Sequence, residues 1–202
     1  MFEISNDWKL FAEKNEKLLE RNYKTLAIRR RELSKIGRKI FPEDDKIFEV
    51  MSFIKPEDIR RVIILPHPYN FNSGTGIPCM IRDNIQGKKT KSLVNIQKIF
   101  NVKDDDFTNI WKDGVFLWNI SLTQEEGEDE SNIPHEVFWS LLFEALLEFL
   151  STNYRNIKFY LSGSNSVRYK KFINLSNGHE MFELPAITKD DFAEAYNSTN
   201  PE

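Results

Sequence analysis

Short runs of apolar, β-branched and aromatic residues recur along the chain, and each has the length of one buried strand. Four stretches fit this pattern, at 62–65 (Val-Ile-Ile-Leu), 115–118, 157–161 and 180–184. Between them, apolar residues recur at three- to four-residue spacing, as on a helix with one buried face. The helices predicted in this way cover 7–39, 45–53, 92–100, 134–154, 164–173 (helix or turn) and 190–197.

Strands that alternate with helices are typical of βαβ units. We therefore predict an α/β fold, a three-layer α/β/α sandwich around a central, mostly parallel four-stranded sheet. We expect a single domain over residues 1–202, with residues 1–40 forming a helical segment packed on it and Asp7 as the N-cap of that segment. Ligands of such sheets bind beyond the carboxyl ends of the strands, so the functional residues should follow the four strands.

Composition limits the class of protein. The chain has 202 residues, 40% of them hydrophobic, which excludes a disordered protein. Cys79 is the only cysteine, so a disulfide framework and a Cys-based zinc site are excluded. We predict no metal, no cofactor and a cytoplasmic (intracellular) location. The apolar run 141–150 contains Glu144 and Glu148 and is too short to span a membrane, and the N-terminus lacks a signal-peptide pattern.

Charge bears on the partners. Lys and Arg number 28 against 31 Asp and Glu, for a net charge of −3, which argues against strong sequence-independent binding of nucleic acid. The basic cluster Arg29–Arg31 is either a solvated helix face or a contact for phosphate or a partner. The acidic stretch 125–130 is either a solvated loop or a surface that repels phosphate and favours a protein partner.

Polar residues follow the predicted strands. His67 stands between two prolines that hold its backbone rigid, and Gly74 and Gly76 permit close approach of the backbone to a ligand. Asn119 ends the second strand, where its amide can pair with the edge of a nucleobase. Each signal alone is weak, and a lone cysteine such as Cys79 is more often an inert core thiol than a nucleophile.

Taken together, these segments resemble the family-1 uracil-DNA glycosylases along nearly the whole chain. The stretch 65–69 (Leu-Pro-His-Pro-Tyr) stands where that family has its water-activating Gly-Gln-Asp-Pro-Tyr loop. The stretch 92–96 matches the helix after the proline-rich DNA-contacting loop, and 114–119 matches the strand that ends in the uracil-reading asparagine. The stretch 159–164 matches the strand and Gly-Ser loop that compress the DNA backbone. The loops are most similar to the divergent poxvirus members.

The resemblance implies roles for individual residues. Tyr69 would exclude thymine by blocking its methyl group, and Asn119 would read the uracil edge. The implied base pocket consists of Pro66, Tyr69, Cys79 and Asn119. The implied DNA-backbone loops contain Lys88, Lys89, Lys91, Ser92, Gly163, Ser164 and Pro185.

The catalytic motifs depart from the family pattern. His67 replaces the aspartate that orients the attacking water, and Leu184 replaces the histidine that stabilises the departing uracil anion. Ala186 replaces a phosphate-contacting serine, and Cys79 replaces the phenylalanine that stacks on the flipped base. The segment 189–192 (Lys-Asp-Asp-Phe) replaces the basic segment that carries the intercalating wedge.

Two hypotheses follow. The first is a catalytically impaired or inactive member that acts as a DNA- or protein-binding module, because losing one oxyanion-type donor costs about 10²–10³ in rate and losing acid–base help about 10²–10⁴. The second is a DNA glycosylase with altered chemistry, which excises uracil or a modified base with His67 in place of the aspartate. DNA, contacted through the lysine and arginine clusters, and a protein both remain open as partners, and no membrane is expected.

Overall fold

The computed structural model describes residues 2–69, 75–81, 89–103, 106–127 and 134–200. The chain starts with a 3-10 turn, Asn6–Trp8, followed by helices α1 (Lys9–Lys14) and α2 (Glu16–Ser34). The prediction that Asp7 is the N-cap is wrong, because Asp7 lies inside the 3-10 turn and Ser5 holds the cap position.

The other helices follow in chain order. They are α3 (Lys91–Phe100), α4 (Thr108–Lys112), α5 (Pro134–Asn153), α6 (Ser164–Val167) and α7 (Phe192–Ser198). Further 3-10 turns lie at Asp44–Lys46, Glu49–Ser52, Pro56–Asp58, Lys170–Phe172 and Leu175–Asn177. The helix predicted at 45–53 is therefore two separate 3-10 turns, because Phe48 between them has a ψ of 17° and leaves the helical region. The short helix α4 was not predicted.

The strands of the described residues form two sheets. In chain order they are β1 (Ile40–Phe41), β2 (Arg61–Leu65), β3 (Val115–Asn119), β4 (Gln124–Glu125), β5 (Lys158–Ser162) and β6 (Glu180–Leu184). The main sheet has the order β3-β2-β5-β6, and its four strands are all parallel. The fold prediction is thereby confirmed. β1 and β4 form an antiparallel pair that was not predicted, since two residues are too few to show a strand pattern.

The helices cover both faces of the main sheet. Trp8 stacks on Phe116 of β3 with ring centroids 5.1 Å apart, and α2 contacts α5 on this side. Phe116 and Phe159 both pair with Val62 and so share this face, which puts Tyr160 on the opposite one. Tyr196 of α7 packs on Tyr160 at 4.7 Å, and α7 in turn contacts α3. The sheet therefore lies between a layer with α1, α2 and α5 and a layer with α3 and α7.

Charged contacts hold α2 to the rest of the chain. Arg29 donates to the carboxylate of Glu125 at 2.7 and 3.1 Å, and Arg38 lies 3.6 Å from the same carboxylate. Arg30 donates to Asp44 at 2.8 Å and also to two backbone carbonyls. Two of the three arginines in the Arg29–Arg31 cluster thus bind groups of the protein itself. The sequence predicted for this cluster either a solvated helix face or a contact for phosphate or a partner. Arg29 and Arg30 fit neither interpretation.

Glu125 corrects the interpretation of the acidic stretch. Its side chain is only 4% exposed, because β4 pairs with β1 and turns the carboxylate towards α2 and α5. His135 of α5 donates to it from Nε2 at 3.2 Å, while Thr123 Oγ1 lies 2.7 Å from His135 Nδ1. The first glutamate of the stretch is therefore part of a buried network, and residues 128–130 lie outside the described ranges.

Candidate functional site

A cavity opens at the carboxyl edge of the main sheet, on the side of α3 and α7. Its volume is about 230 Å³. It is lined by Leu65, Pro66, His67, Pro68, Tyr69, Ile77, Cys79, Ser92, Asn165, Ala186, Ile187 and Thr188. The loops after β2, β5 and β6 all contribute, which is the location that a parallel sheet of this kind predicts for a ligand.

Asn119 lies beside this cavity at the end of β3. It pairs in register with Leu65, which lines the cavity, and directly opposed residues of neighbouring strands project to the same face. Asn119 is 4% exposed, and its side chain makes no hydrogen bond with any residue in the described ranges. A buried amide without an internal partner has its donors and acceptor available to a ligand.

Tyr69 is held by several polar groups in one wall of the cavity. Its hydroxyl lies 2.5 Å from Thr90 Oγ1, 2.7 Å from Ser92 Oγ and 3.3 Å from the carbonyl oxygen of Cys79. Thr90 also accepts from the backbone N–H of Leu93 and so caps α3. Ser92, which the resemblance implies in a DNA-backbone loop, is buried, and its hydroxyl binds Tyr69 inside the wall.

The thiol of Cys79 belongs to the same cluster. Burial raises the pKa of Cys79 to about 12, although its hydrogen bond with Ser92 acts in the opposite direction. Burial likewise raises the pKa of Tyr69 above its usual value. Both groups are therefore neutral at physiological pH, and Cys79 is a poor nucleophile there.

His67 is half-buried in the loop after β2. Its Nδ1 lies 3.1 Å from the carbonyl oxygen of Pro68. A carbonyl oxygen only accepts, so the neutral ring carries its proton on Nδ1 and leaves a lone pair on Nε2. The side chain can accept a hydrogen bond from a water in the cavity, but an imidazole supplies no negative charge.

The opposite wall is the segment 185–189 after β6. Asn95 of α3, which is 3% exposed, donates from Nδ2 to the carbonyl oxygens of Ile187 and Lys189 at 2.7 and 2.8 Å. Sequence analysis did not single out Asn95. The sequence feature that could have identified Asn95 is a polar residue on the apolar face of a predicted helix, between Leu93 and Ile96.

Leu184 and the Gly-Ser loop support this wall from outside the cavity lining. Leu184 is buried, and its carbonyl oxygen accepts from the backbone N–H of Gly163 at 3.0 Å. Gly163 has a φ of 78°, and a Cβ there would lie 3.3 Å from that of Ala186, so this close approach favours glycine. Ser164 is exposed, and the carbonyl oxygen of Pro185 accepts from Ser162 Oγ.

The glycine and lysine predictions have mixed outcomes. A Cβ at Gly76 would collide with the backbone carbonyl of Lys46, so Gly76 serves packing within the chain and not approach to a ligand. Lys89 and Lys91 are exposed, the first bonded to Gln97 at 3.0 Å and the second 4.0 Å from Asp190. Gly74 and Lys88 lie outside the described residues.

The chemistry of the cavity is limited by its lining. None of the lining residues named above carries a carboxylate. Over the described ranges, no cluster of three or more His, Cys, Asp or Glu side chains is arranged to hold a metal. In the same part of the chain, no helix combines the length and apolarity needed to cross a bilayer.

Comparison with known proteins decides the family. No family model matches the chain. A uracil-DNA glycosylase of Aliarcobacter butzleri (strain RM4018) is 32% identical over 155 residues, which cover 72% of this chain and 70% of that protein. The chain belongs to the uracil-DNA glycosylase family. A second uracil-DNA glycosylase, of Blochmanniella floridana, is 30% identical over 154 residues, covering 72% of this chain and 68% of that one.

The family fold extends over the described chain. The crystal structure of mimivirus uracil-DNA glycosylase superimposes with a TM-score of 0.74, covering 98% of this chain and 86% of that one at 17% identity. The cavity therefore stands at the carboxyl edge of a uracil-DNA glycosylase fold, with His67, Cys79 and Ala186 in its lining and Leu184 behind it.

Proposed function

We propose that this member of the uracil-DNA glycosylase family receives a DNA base in the cavity and is catalytically impaired or inactive, so that it acts as a DNA-binding module. The observation that carries the proposal is the cavity lining itself. It offers Asn119 at its edge and Tyr69 in its wall, but none of its described lining residues has a carboxylate that could assist an attacking water.

The size and polarity of the cavity support base binding. About 230 Å³ corresponds to roughly seven or eight waters at about 30 Å³ each, which suits one pyrimidine ring. The amide of Asn119 is buried without an internal hydrogen bond among the described residues, and binding a complementary base edge would satisfy it. Tyr69 is fixed in one orientation by its three oxygen neighbours, so it presents a rigid wall to the base.

The same lining argues for slow hydrolysis. Cleavage of a glycosidic bond passes through an oxocarbenium-like sugar, which a nearby negative charge stabilises. The imidazole of His67 provides no negative charge, and the aliphatic side chain of Leu184 has no N–H for the departing base. Losing a donor of this kind costs about 10²–10³ in rate, and losing acid–base help costs about 10²–10⁴.

A second candidate function rests on the tautomer of His67. Because Nδ1 donates to Pro68, the Nε2 lone pair can take a proton from an attacking water. This favours a glycosylase with altered chemistry, in which His67 replaces the family aspartate. Its activity would depend on a neutral imidazole and would be lost on removal of the ring.

The DNA contact is weaker than the sequence clusters suggest. Arg29 and Arg30 bind internal groups, which leaves the exposed Lys89, Lys91 and Lys189 as described cations near the cavity. Asp190, beside Lys91, repels phosphate. A protein partner stays a prediction, and its support is the exposure of Val137 and Leu141, which are 79% and 48% exposed on one side of α5.

The test uses labelled single-stranded and duplex DNA containing one uracil, with thymine-containing DNA as the reference. We expect salt-dependent binding that prefers uracil, and few abasic sites after prolonged incubation. Lys89→Ala with Lys91→Ala should weaken binding, whereas Lys112→Ala on α4 should not. Rapid excision that disappears in His67→Ala would establish the second candidate, and no retention of DNA at low salt would favour a protein partner.

A further inference from the structure

Helix α3 contacts both walls of the cavity through one of its faces. Ser92 and Asn95 are three residues apart, so their side chains lie on the same side of the helix. Ser92 bonds to Tyr69 in one wall, and Asn95 bonds to the carbonyl oxygens of Ile187 and Lys189 in the other.

We propose that Asn95 is a positioning residue, which fixes the 185–189 wall of the base cavity through its two hydrogen bonds. It does not itself line the cavity, and it would act through Ile187 and its neighbours. The inference rests on the proposed function, that the cavity receives a DNA base.

The geometry accounts for this role. The amide nitrogen of asparagine has two hydrogens, and at Asn95 each has a carbonyl acceptor, at 2.7 and 2.8 Å. The two acceptors bracket Thr188, whose side chain lines the cavity. Loss of Asn95 would leave the carbonyl oxygen of Ile187 without a donor among the described residues, and that of Lys189 with only the backbone N–H of Phe192 at 3.3 Å. The cost of an unpaired buried carbonyl favours movement of the segment.

Other hydrogen bonds among the described residues hold the segment near its start and at its end, where the backbone N–H of Phe192 donates to the carbonyl oxygen of Lys189 at 3.3 Å. Ser162 Oγ donates to the carbonyl oxygen of Pro185 at 3.3 Å, and the backbone N–H of Gly163 donates to that of Leu184. Within the segment, the N–H of Lys189 donates to the carbonyl oxygen of Ala186 at 2.8 Å. Asn95 is therefore the side chain that ties the middle and end of this wall to α3.

The chain offers a matched control. Asn177 also donates from Nδ2 to two carbonyl oxygens, those of Ser151 and Thr152, at 3.0 and 3.2 Å. It anchors the turn before β6 to the end of α5, at the opposite edge of the sheet. Asn177→Asp removes the same pair of bonds with the same chemistry, away from the cavity.

The experiment compares Asn95→Asp, the smaller change Asn95→Ser and Asn177→Asp with the parent. Two quantities are measured: hydrogen exchange of the Lys189 amide, and the ratio of affinities for single-stranded DNA with one uracil and the same DNA with thymine. We expect both Asn95 variants to speed exchange at Lys189 and to lower the uracil preference by about tenfold, the effect of losing buried hydrogen bonds. Asn177→Asp should change neither.

Unchanged exchange at Lys189 and unchanged preference in folded Asn95→Ser would overturn the proposal, as would equal effects in Asn177→Asp. If the parent shows no uracil preference, the proposed function fails. The exchange of the Lys189 amide still decides then whether Asn95 positions this wall, because it needs no DNA.

Discussion

Arg29 donates two hydrogen bonds to the carboxylate of Glu125, a residue 96 positions further along the chain. The pair links α2 to β4, and His135 extends the link to α5. The basic cluster Arg29–Arg31 and the acidic stretch 125–130 therefore partly neutralise each other, so neither is simply a solvated surface. We expect Arg29→Ala to lower the free energy of unfolding by about 1–3 kcal/mol, since a buried carboxylate loses charge-assisted hydrogen bonds.

The matched control is Arg31→Ala, because Arg31 is exposed and has no ion pair among the described residues. Its effect should stay within about 0.5 kcal/mol. Urea unfolding followed by tryptophan fluorescence measures both variants. Equal losses in the two would contradict a specific role for the Arg29–Glu125 pair.

Glu125 also makes stability depend on pH. Burial raises the pKa of its carboxyl, but hydrogen bonds from Arg29 and His135 outweigh burial and hold the pKa below 4.5. The stabilisation is therefore complete above pH 4.5 and is lost as the pH falls through the lower pKa of the folded protein. Unfolding measured between neutral pH and pH 3 should show this loss in the parent, and Glu125→Gln should show a shallower decline. A parallel decline in both would place the acid sensitivity elsewhere.

Replacing Asn119 should alter base recognition without lowering the stability of the fold. Asn119→Leu has nearly the same volume and removes no hydrogen bond to a described residue, so we expect thermal stability to stay the same or rise. The preference for uracil over thymine in DNA binding should disappear, because leucine cannot pair with the base edge. Asn95→Leu is the comparison, and it should lose stability with its two hydrogen bonds. A large loss of stability in Asn119→Leu would show that Asn119 is a structural residue.

Cys79 should behave as an inert thiol. Its pKa of about 12 leaves almost no thiolate at neutral pH, and the side chain is buried. Iodoacetamide should therefore label Cys79 in urea but not in the native protein. The raised pKa stabilises the fold below pH 9, and that part is lost as the pH rises towards 12. Labelling is measured by mass spectrometry, and rapid labelling of Cys79 in the native protein would contradict the expectation that this thiol is inert.

Asp190 should weaken DNA binding. Its carboxylate lies 4.0 Å from the ammonium group of Lys91, and both side chains are exposed to solvent. Asp190→Asn should raise the affinity for single-stranded DNA severalfold at low salt, and the gain should shrink as salt is added. Glu57→Gln, an equal change of charge before β2, should have little effect. Fluorescence anisotropy measures both variants, and equal gains would indicate only a response to net charge.

Restoring the family groups should restore hydrolysis. His67→Asp with Leu184→His supplies a carboxylate and an imidazole at the positions that the sequence resemblance implies for them, and we expect abasic-site formation to rise by about 10²–10⁴. The control pair, His67→Asn with Leu184→His, supplies no negative charge and should gain much less. If the folded double variant gains nothing, the proposal that these two positions limit hydrolysis is wrong.

The local pattern of the sequence determined much of the fold. The strand predicted at 180–184 matches β6, and the helix predicted at 134–154 matches α5 to within one residue. Apolar residues that recur regularly over such lengths indicate the type of secondary structure, because only that type places them on one buried face. Helix α4 and the β1–β4 pair were missed, because five or fewer residues carry too little pattern.

Part of the candidate site could also be predicted from the sequence, and part could not. The family resemblance implied His67, Tyr69 and Cys79 as site residues, and all three line the cavity. The tautomer of His67, the hydroxyl cluster around Tyr69 and the role of Asn95 depend on contacts that only the folded chain forms.

By itself, the sequence determined the α/β class, the strand ends around which the cavity forms and the residue types at those ends. These properties depend on residue identity and local periodicity. Only the tertiary structure decided which charges neutralise each other, as with Arg29 and Glu125, and which buried polar side chains have no hydrogen bond to another described residue, as with Asn119. Pairing depends on distances between segments far apart along the chain, and packing of the whole fold sets those distances.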